Sequence, residues 1–416
     1  MSFIIAAPSS GSGKTMITLG LLRAISRTQP IRAAKSGPDY IDPRFHEAAC
    51  GHPCVNLDAW AMRPERLCAL AAGPTPMIVE GAMGLFDGAP PDGKGATADL
   101  ARILGWPVVL VVDAGKMAGS VAPLVHGFAA HDADVNIAGV ILNNVGSVRH
   151  ETMLRRALQD ITIFGAVRRD AALQQPSRHL GLLQAQERPD LDAFLDQAAD
   201  LIGDQVDLAQ LLALEARTHE PGNPRRISPP AQRIAVAQDA AFAFTYPHML
   251  ADWHHAGAEI TFFSPLADQA APAADFIFLP GGYPELHAGR LAGNQTFLRS
   301  LGTGAAQIYG ECGGYMCLGQ TLTDADGQHH AMAGLLALHT SFAARKLHLG
   351  YRELHAAAGP LPGPWLGHEF HYATTISARG TPLFQARDAA GDILPDMGLV
   401  DGRVAGSFAH IIDRAR

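Results

Sequence analysis

Apolar residues in the N-terminal half come in short runs, Phe3-Ile4-Ile5-Ala6, Met77-Ile78-Val79, Val108 to Val112 and Ile137 to Leu142, and Ile31-Arg32-Ala33-Ala34-Lys35 reads as a further strand. The segments between them carry helical spacing, as Ile17, Leu21, Ala24 and Ile25 do on one face and as the stretch from about Ser120 to Ala130 does. Strands that are apolar throughout and alternate with helices predict a parallel sheet covered on both faces, with ligands at the strand C-termini. The polar segment from Thr218 to Pro230 breaks the pattern, with four prolines and almost no apolar content. Beyond it, Ile234 to Ala237, Ile260 to Phe263 and Phe276 to Leu279 restart the alternation. The expectation is an α/β chain of two domains, 1–217 and 232–416, joined by a linker over 218–231.

The strand ends carry the chemistry. After the first strand comes Ala7-Pro8-Ser9-Ser10-Gly11-Ser12-Gly13-Lys14-Thr15, a Gly-rich turn opening a helix. Backbone N–H groups of Gly11, Ser12 and Gly13 suit an anion, Lys14 reaches terminal phosphates, and the Thr15 hydroxyl suits Mg²⁺. The loop reads as an ATP site, although Pro8 stands where the usual first glycine would be and the loop is one residue longer. The next strand end, Ser36 to Arg44, reads as a binding loop. Lys35 and Arg44 suit phosphate or carboxylate there; Asp39 and Asp42 suit Mg²⁺, a substrate group, or the capping of turns. Glu80, closing an apolar strand, is the choice for Mg²⁺, with Asp87 weaker. Asn143 suits the adenine edge or a turn.

In the second half, Pro280-Gly281-Gly282-Tyr283-Pro284-Glu285 follows a strand, and Ile308-Tyr309-Gly310-Glu311-Cys312-Gly313-Gly314 sits between a strand and a helix. Gly-x-Cys-x-Gly there is the thiol form of a nucleophile elbow. The helix N-terminus is expected to lower the thiol pKa, and the N–H groups of Gly282 and Gly313 to form an oxyanion hole. His410, in Gly406-Ser407-Phe408-Ala409-His410, is the candidate base, delivered on a strand. The acid two residues beyond it is absent, because Ile412 stands there, and Asp413 is the nearest substitute. His368-Glu369-Phe370-His371 lacks the spacing of a zinc helix and reads as substrate-facing or structural. His254-His255 and His329-His330 read as solvated.

Composition narrows the partners. A net charge of -8 without a basic run or basic-aromatic stripe argues against nucleic acid. No apolar run approaches the roughly 20 residues that span a bilayer, and the first strand begins without a charged leader, so a cytoplasmic protein without membrane contact is expected. Five cysteines in 416 residues make no disulfide framework, and Cys50 and Cys54 lack a second pair for zinc. The pattern leaves a homodimer open.

Taken together, Lys35-Ser-Gly-Pro-Asp-Tyr-Ile-Asp-Pro, Val79-Glu-Gly-Ala-Met-Gly-Leu-Phe-Asp-Gly, Gly281-Gly-Tyr-Pro-Glu, Glu311-Cys-Gly-Gly and Gly367-His-Glu-Phe-His-Tyr resemble the cobyrinic acid a,c-diamide synthase family nearly end to end. That family includes the hydrogenobyrinic acid enzymes of aerobic vitamin B12 synthesis. The resemblance implies a dethiobiotin-synthetase-like P-loop domain joined to a class I glutamine amidotransferase domain with a flavodoxin-like sheet. It implies Cys312 as glutaminase nucleophile, His410 as its base, and Lys14, Thr15 and Glu80 for ATP and Mg²⁺. Lys35, Asp39, Tyr40, Ile41 and Asp87 are the acceptor-binding candidates. Such chemistry needs an acyl phosphate at one site and ammonia released at another. The rivals are a relative amidating another tetrapyrrole, such as nickel sirohydrochlorin, and a partitioning-type nucleotide switch with a degenerate amidotransferase domain.

Overall fold

Among the described residues seven strands make the N-terminal sheet: β1 (Phe3–Ala6), β2 (Arg32–Ser36), β3 (Val55–Leu57), β4 (Met77–Glu80), β5 (Val108–Asp113), β6 (Ile137–Val145) and β7 (Ile163–Arg168). They are all parallel, in the order β3-β2-β4-β1-β5-β6-β7. The inner strands are buried on both faces, as β1, β4 and the first five residues of β5 are throughout, which is why their sequences lack alternation. The helices of this unit among the described residues are α1 (Lys14–Ser26), α2 (Asp42–Cys50), α3 (Pro64–Ala71), α4 (Thr97–Leu104), α5 (Val121–His131), α6 (Val148–Ala157), α7 (Leu191–Gln205) and α8 (Leu208–Leu212). Gly20 lets α1 and α7 close on one another: a Cβ there would meet Ile202 Cγ1 at 2.3 Å. Arg23 and Arg27 then reach Asp192, Asp196 and Asp200 along the rim of that contact.

The computed structural model describes residues 2–170 and 184–415. It divides into two units, Met1–Arg225 and Arg226–Arg416, and the division falls inside the proline-rich polar segment. The second unit opens with β8 (Arg233–Ala237), α9 (Pro247–His255), β9 (Glu259–Phe263), β10 (Phe276–Leu279), α10 (Ala288–Gly293), α11 (Gln295–Gly302), β11 (Gln307–Glu311) and α12 (Gly313–Leu318). Then come β12 (Thr321–Thr323), β13 (His329–Ala331), β14 (Ala337–Ser341), β15 (His348–Ala356), β16 (Gly363–His371) and β17 (Thr374–Arg379). The chain closes with β18 (Phe384–Asp388), β19 (Ile393–Met397), β20 (Leu399–Asp401), β21 (Val404–Ser407) and β22 (Ala409–Arg414). The main sheet runs β20-β21-β11-β10-β8-β9, parallel except for the β20–β21 pair.

Two features differ from the expectation. Beyond Cys312 the second unit holds two further sheets, β13-β12-β14-β17 and β19-β18-β15-β16-β22, the latter wholly antiparallel. Several of their strands alternate or are largely exposed, as β16, β17 and β19 are, so no continuous apolar run marks them. The Gly406-to-His410 stretch is also two strands rather than one: β21 belongs to the parallel sheet, the chain turns at Phe408, and β22 joins the antiparallel sheet. That turn carries His410 from one sheet to the next.

Candidate functional site

In the first unit the Gly-rich turn meets α1 through Gly13, which adopts φ +91. A Cβ on Gly13 would strike Asn143 Nδ2 at 2.1 Å, and that amide donates to the Ser12 carbonyl at 3.0 Å. Asn143, at the end of β6, thus braces the loop backbone. Lys14 Nζ donates to the Met83 carbonyl at 2.6 Å, and Met83 holds a left-handed φ of +51 to present it. Burial lowers the pKa of Lys14. Beside Gly13 a cavity of about 480 Å³ is lined by Met16, Asn143, Asn144, Arg168, Arg169 and Asp170. The three residues 168–170 at the end of β7 were not legible as site residues, because no motif surrounds them.

Glu80 is the hub of the second cluster. Its Oε1 accepts from the Thr15 hydroxyl and from Lys35 Nζ, both at 2.8 Å, and its Oε2 lies 2.7 Å from His46 Nε2. Burial opposes the charge of Glu80, yet Lys35 and His46 hold its carboxyl well below the usual range. Lys35 Nζ also donates to Asp42 at 2.6 Å and lies 3.8 Å from Asp39. Burial likewise opposes the lysine charge, and Asp42, Glu80 and Asp39 outweigh it and raise its pKa well above the ordinary value. Burial, then the charge of Asp39, pushes Asp42 up to about 6. Asp42 is the first residue of α2, so the supposed binding loop is shorter than expected. Asp39 accepts from the N–H groups of Ile41 and Asp42 at 2.8 and 3.1 Å, the capping alternative. Tyr40 and Ile41 are buried. Asp87 accepts from Gly84 N–H at 2.9 Å and fixes the turn after β4. His46 was missed because it sits inside α2, where nothing in the spacing separates a buried ligand from a helix-face histidine.

In the second unit Cys312 takes φ +45 and ψ -101, a strained backbone for a non-glycine residue, between β11 and α12. Its N–H donates to the Ser407 carbonyl at 2.8 Å, which ties the elbow to β21. Gly314 is forced by close approach: a Cβ there would meet the Leu279 carbonyl oxygen at 1.9 Å. Gly281 is more informative. Its missing Cβ would stand 2.2 Å from His410 Cε1 and 3.3 Å from Cys312 Cβ, so both side chains converge on one glycine. Gly282 N comes within 3.1 Å of the Cβ position of Gly313, which brings the two expected oxyanion donors to one place.

The expectation of an acidified thiol fails. Burial, and after it the carboxylate Glu285, pushes the Cys312 pKa well up, against the Gly313 N–H that favours the thiolate. A thiol whose pKa is pushed up needs a base at hand. His410 is 1% exposed, and its Nδ1 lies 3.5 Å from Glu311 Oε2, whose Oε1 accepts from Ile411 N–H at 3.0 Å. A register shift pairs His410 with His368 but Asp413 with Leu366, so Asp413 returns to the His410 face of the sheet. His368 is held neutral: burial, then the charge of His410, lowers its pKa to about 3. Glu369 accepts from Arg352 at 2.9 Å and lies 2.9 Å from His371, whose ring stacks on Phe408 at 3.9 Å. His254 and His255 are exposed, whereas His330 is half-buried against Asp324 at 2.7 Å, unlike the solvated pair expected. All five cysteines are free.

Comparison with known proteins assigns both units. The family described as a CobQ/CobB/MinD/ParA nucleotide binding domain matches residues 3–183, and the CobB/CobQ-like glutamine amidotransferase domain matches residues 233–416. Hydrogenobyrinate a,c-diamide synthase of Brucella abortus is 54% identical over 428 residues, covering 99% of this chain and 98% of its own. The enzymes of that name from Rhizobium meliloti and Rhodobacter capsulatus are 53% and 50% identical, covering 99% and 98% of this chain and 98% of each relative. The chain belongs to the hydrogenobyrinate a,c-diamide synthase family.

Proposed function

We propose that this chain amidates the a and c acetate carboxylates of hydrogenobyrinate in cobalamin biosynthesis, with ATP as activator and glutamine as nitrogen donor. A carboxylate repels nucleophiles and its oxygen leaves badly. Transfer of the ATP γ-phosphoryl gives an acyl phosphate and ADP; ammonia then displaces phosphate and leaves the amide. The P-loop of the first unit, with Lys14 and the N–H groups of Gly11, Ser12 and Gly13, cradles the phosphates. The cavity beside Gly13 and Asn143 takes the nucleoside.

Thr15 Oγ1 and Glu80 Oε1 are hard oxygen donors 2.8 Å apart, a set that fits Mg²⁺. Asp42 reaches that set through Lys35. Mg²⁺ held there would neutralise phosphate charge. Lys35, Asp39, Tyr40, Ile41 and Asp87 are the residues we assign to the acceptor.

In the second unit His410 takes the Cys312 proton and Sγ attacks the glutamine side-chain amide. The oxyanion faces the N–H groups of Gly282 and Gly313, each a donor worth about 3 kcal/mol in comparable sites. His410 returns its proton to departing ammonia, and water releases glutamate from the thioester. Glu311 steadies the imidazolium from Nδ1. The reading is carried by one observation: Cys312 and His410 converge on Gly281 at a strained elbow, in a chain whose other unit carries a P-loop. Glutamine labelled with ¹⁵N in its side-chain amide tests it. Label in both new amides, with ADP and glutamate formed in step, is expected; unlabelled product would refute it.

A further inference from the structure

We propose that Glu285 receives the α-ammonium group of glutamine and so sets the specificity of the nitrogen-donor site, an inference that rests on the glutaminase reading above. Glu285 lies in the short 3-10 turn Pro284–His287 that follows Gly281 and Gly282 directly. Pro284 packs on the elbow, its Cδ 2.9 Å from the Cβ position of Gly313. Glu285 is therefore the next side chain along from one that packs on Gly313, the residue after the nucleophile. It is 7% exposed, and its Oε2 is buried without a hydrogen-bond partner among the described residues.

Among the described residues, the carboxylates of Glu285, Glu369 and Glu311 bear electrostatically on the Cys312 thiol. Two are already spent. Glu369 is held by Arg352 at 2.8 and 2.9 Å and by His371 at 2.9 Å. Glu311 takes the Ile411 N–H at 3.0 Å and faces His410. Glu285 alone of the three keeps a buried oxygen with nothing to accept from. Buried polar groups in folded proteins are normally paired, so an orphaned carboxyl beside a nucleophile marks a place for a ligand donor. Glutamine brings such a donor: with its side-chain amide at Cys312, the α-ammonium is the one cationic group it carries. Burial pushes the Glu285 carboxyl up to about 8, opposed by its own backbone N–H and by the charge of Arg345. An arriving ammonium favours the carboxylate form, any proton on it passing to solvent, and makes a charge-assisted hydrogen bond with it away from water.

The test compares glutamine with glutaramate, which has the same side-chain amide and carboxylate but no α-amino group, by measuring release of ammonia. A site that leaves a buried carboxyl unpaired rejects the shorter-handed analogue. The wild-type chain is expected to favour glutamine in kcat/KM by roughly 10- to 100-fold, the span of one charged hydrogen bond. Glu285→Gln, which keeps the size and shape of the side chain and removes its charge, should raise KM for glutamine by a similar factor. Its KM for glutaramate should stay within about threefold of wild type, and ammonia-driven amidation should be unchanged. Equal loss of both substrates in the variant, or no preference for glutamine in the wild type, would overturn the assignment. The wild-type ratio needs no variant to fold. If the wild type releases ammonia from neither compound, the glutaminase reading itself falls, an outcome distinct from either of those.

Discussion

Replacing Gly281 by alanine adds one methyl group at the point where Cys312 and His410 meet. The new Cβ would lie 2.2 Å from His410 Cε1, which is 0.8 Å inside the 3.0 Å that real Cβ atoms essentially never breach, and 3.3 Å from Cys312 Cβ. The imidazole cannot yield cheaply. It is 1% exposed, with the Phe244 ring centred 6.5 Å away and His368 opposite it across the strand pair. Overpacking of this kind costs about 1–3 kcal/mol of stability, and a misplacement near 1 Å at a reacting group costs on the order of 100-fold in rate. Gly281→Ala is therefore expected to stay folded, to lose on the order of 100-fold in glutamate release, and to keep its ammonia-driven amidation. Both rates come from one coupled assay with glutamine or ammonium chloride as nitrogen source. Glutamate release within threefold of wild type would refute the convergence of the two side chains on Gly281.

Glu80→Gln should cost about 3 kcal/mol at pH 7 in urea unfolding, because it strips a buried partner from Lys35 and His46. Lys35 and His46 hold Glu80 below its ordinary 4.5 despite burial, so its stabilisation is present above that value and is lost as pH falls. The gap between wild type and variant should accordingly narrow below about pH 4.5, and a constant gap would speak against the charge network. Lys14→Met should abolish amidation with either nitrogen source while the unfolding midpoint stays near wild type; retained ATP turnover would remove Lys14 from the phosphate site. Asn143→Ala, which frees the Ser12 carbonyl, should weaken nucleotide affinity by roughly fivefold, about one net hydrogen bond, read by calorimetric titration.

The parallel sheets were legible because strands buried on both faces cannot hide their apolar runs, and because the P-loop and the cysteine elbow need fixed local geometry. The strands after Cys312 were not. β15 and β16 expose alternate residues, and β17 and β19 are largely exposed, so they resemble polar loops. His46 and Glu311 act through partners distant in sequence, at 34 and 99 positions, and spacing alone does not reveal such pairs. The thiol pKa was misjudged because a helix N-terminus is visible in the sequence, whereas the burial that outweighs it is not.

The most direct test is product mass analysis of hydrogenobyrinate incubated with Mg-ATP and either glutamine or ammonia, using the wild-type chain and Cys312→Ser. The account predicts a diamide from wild type with both donors, and from Cys312→Ser with ammonia alone. A Cys312→Ser chain that still uses glutamine, or a wild type that leaves both acetates unchanged, would contradict it.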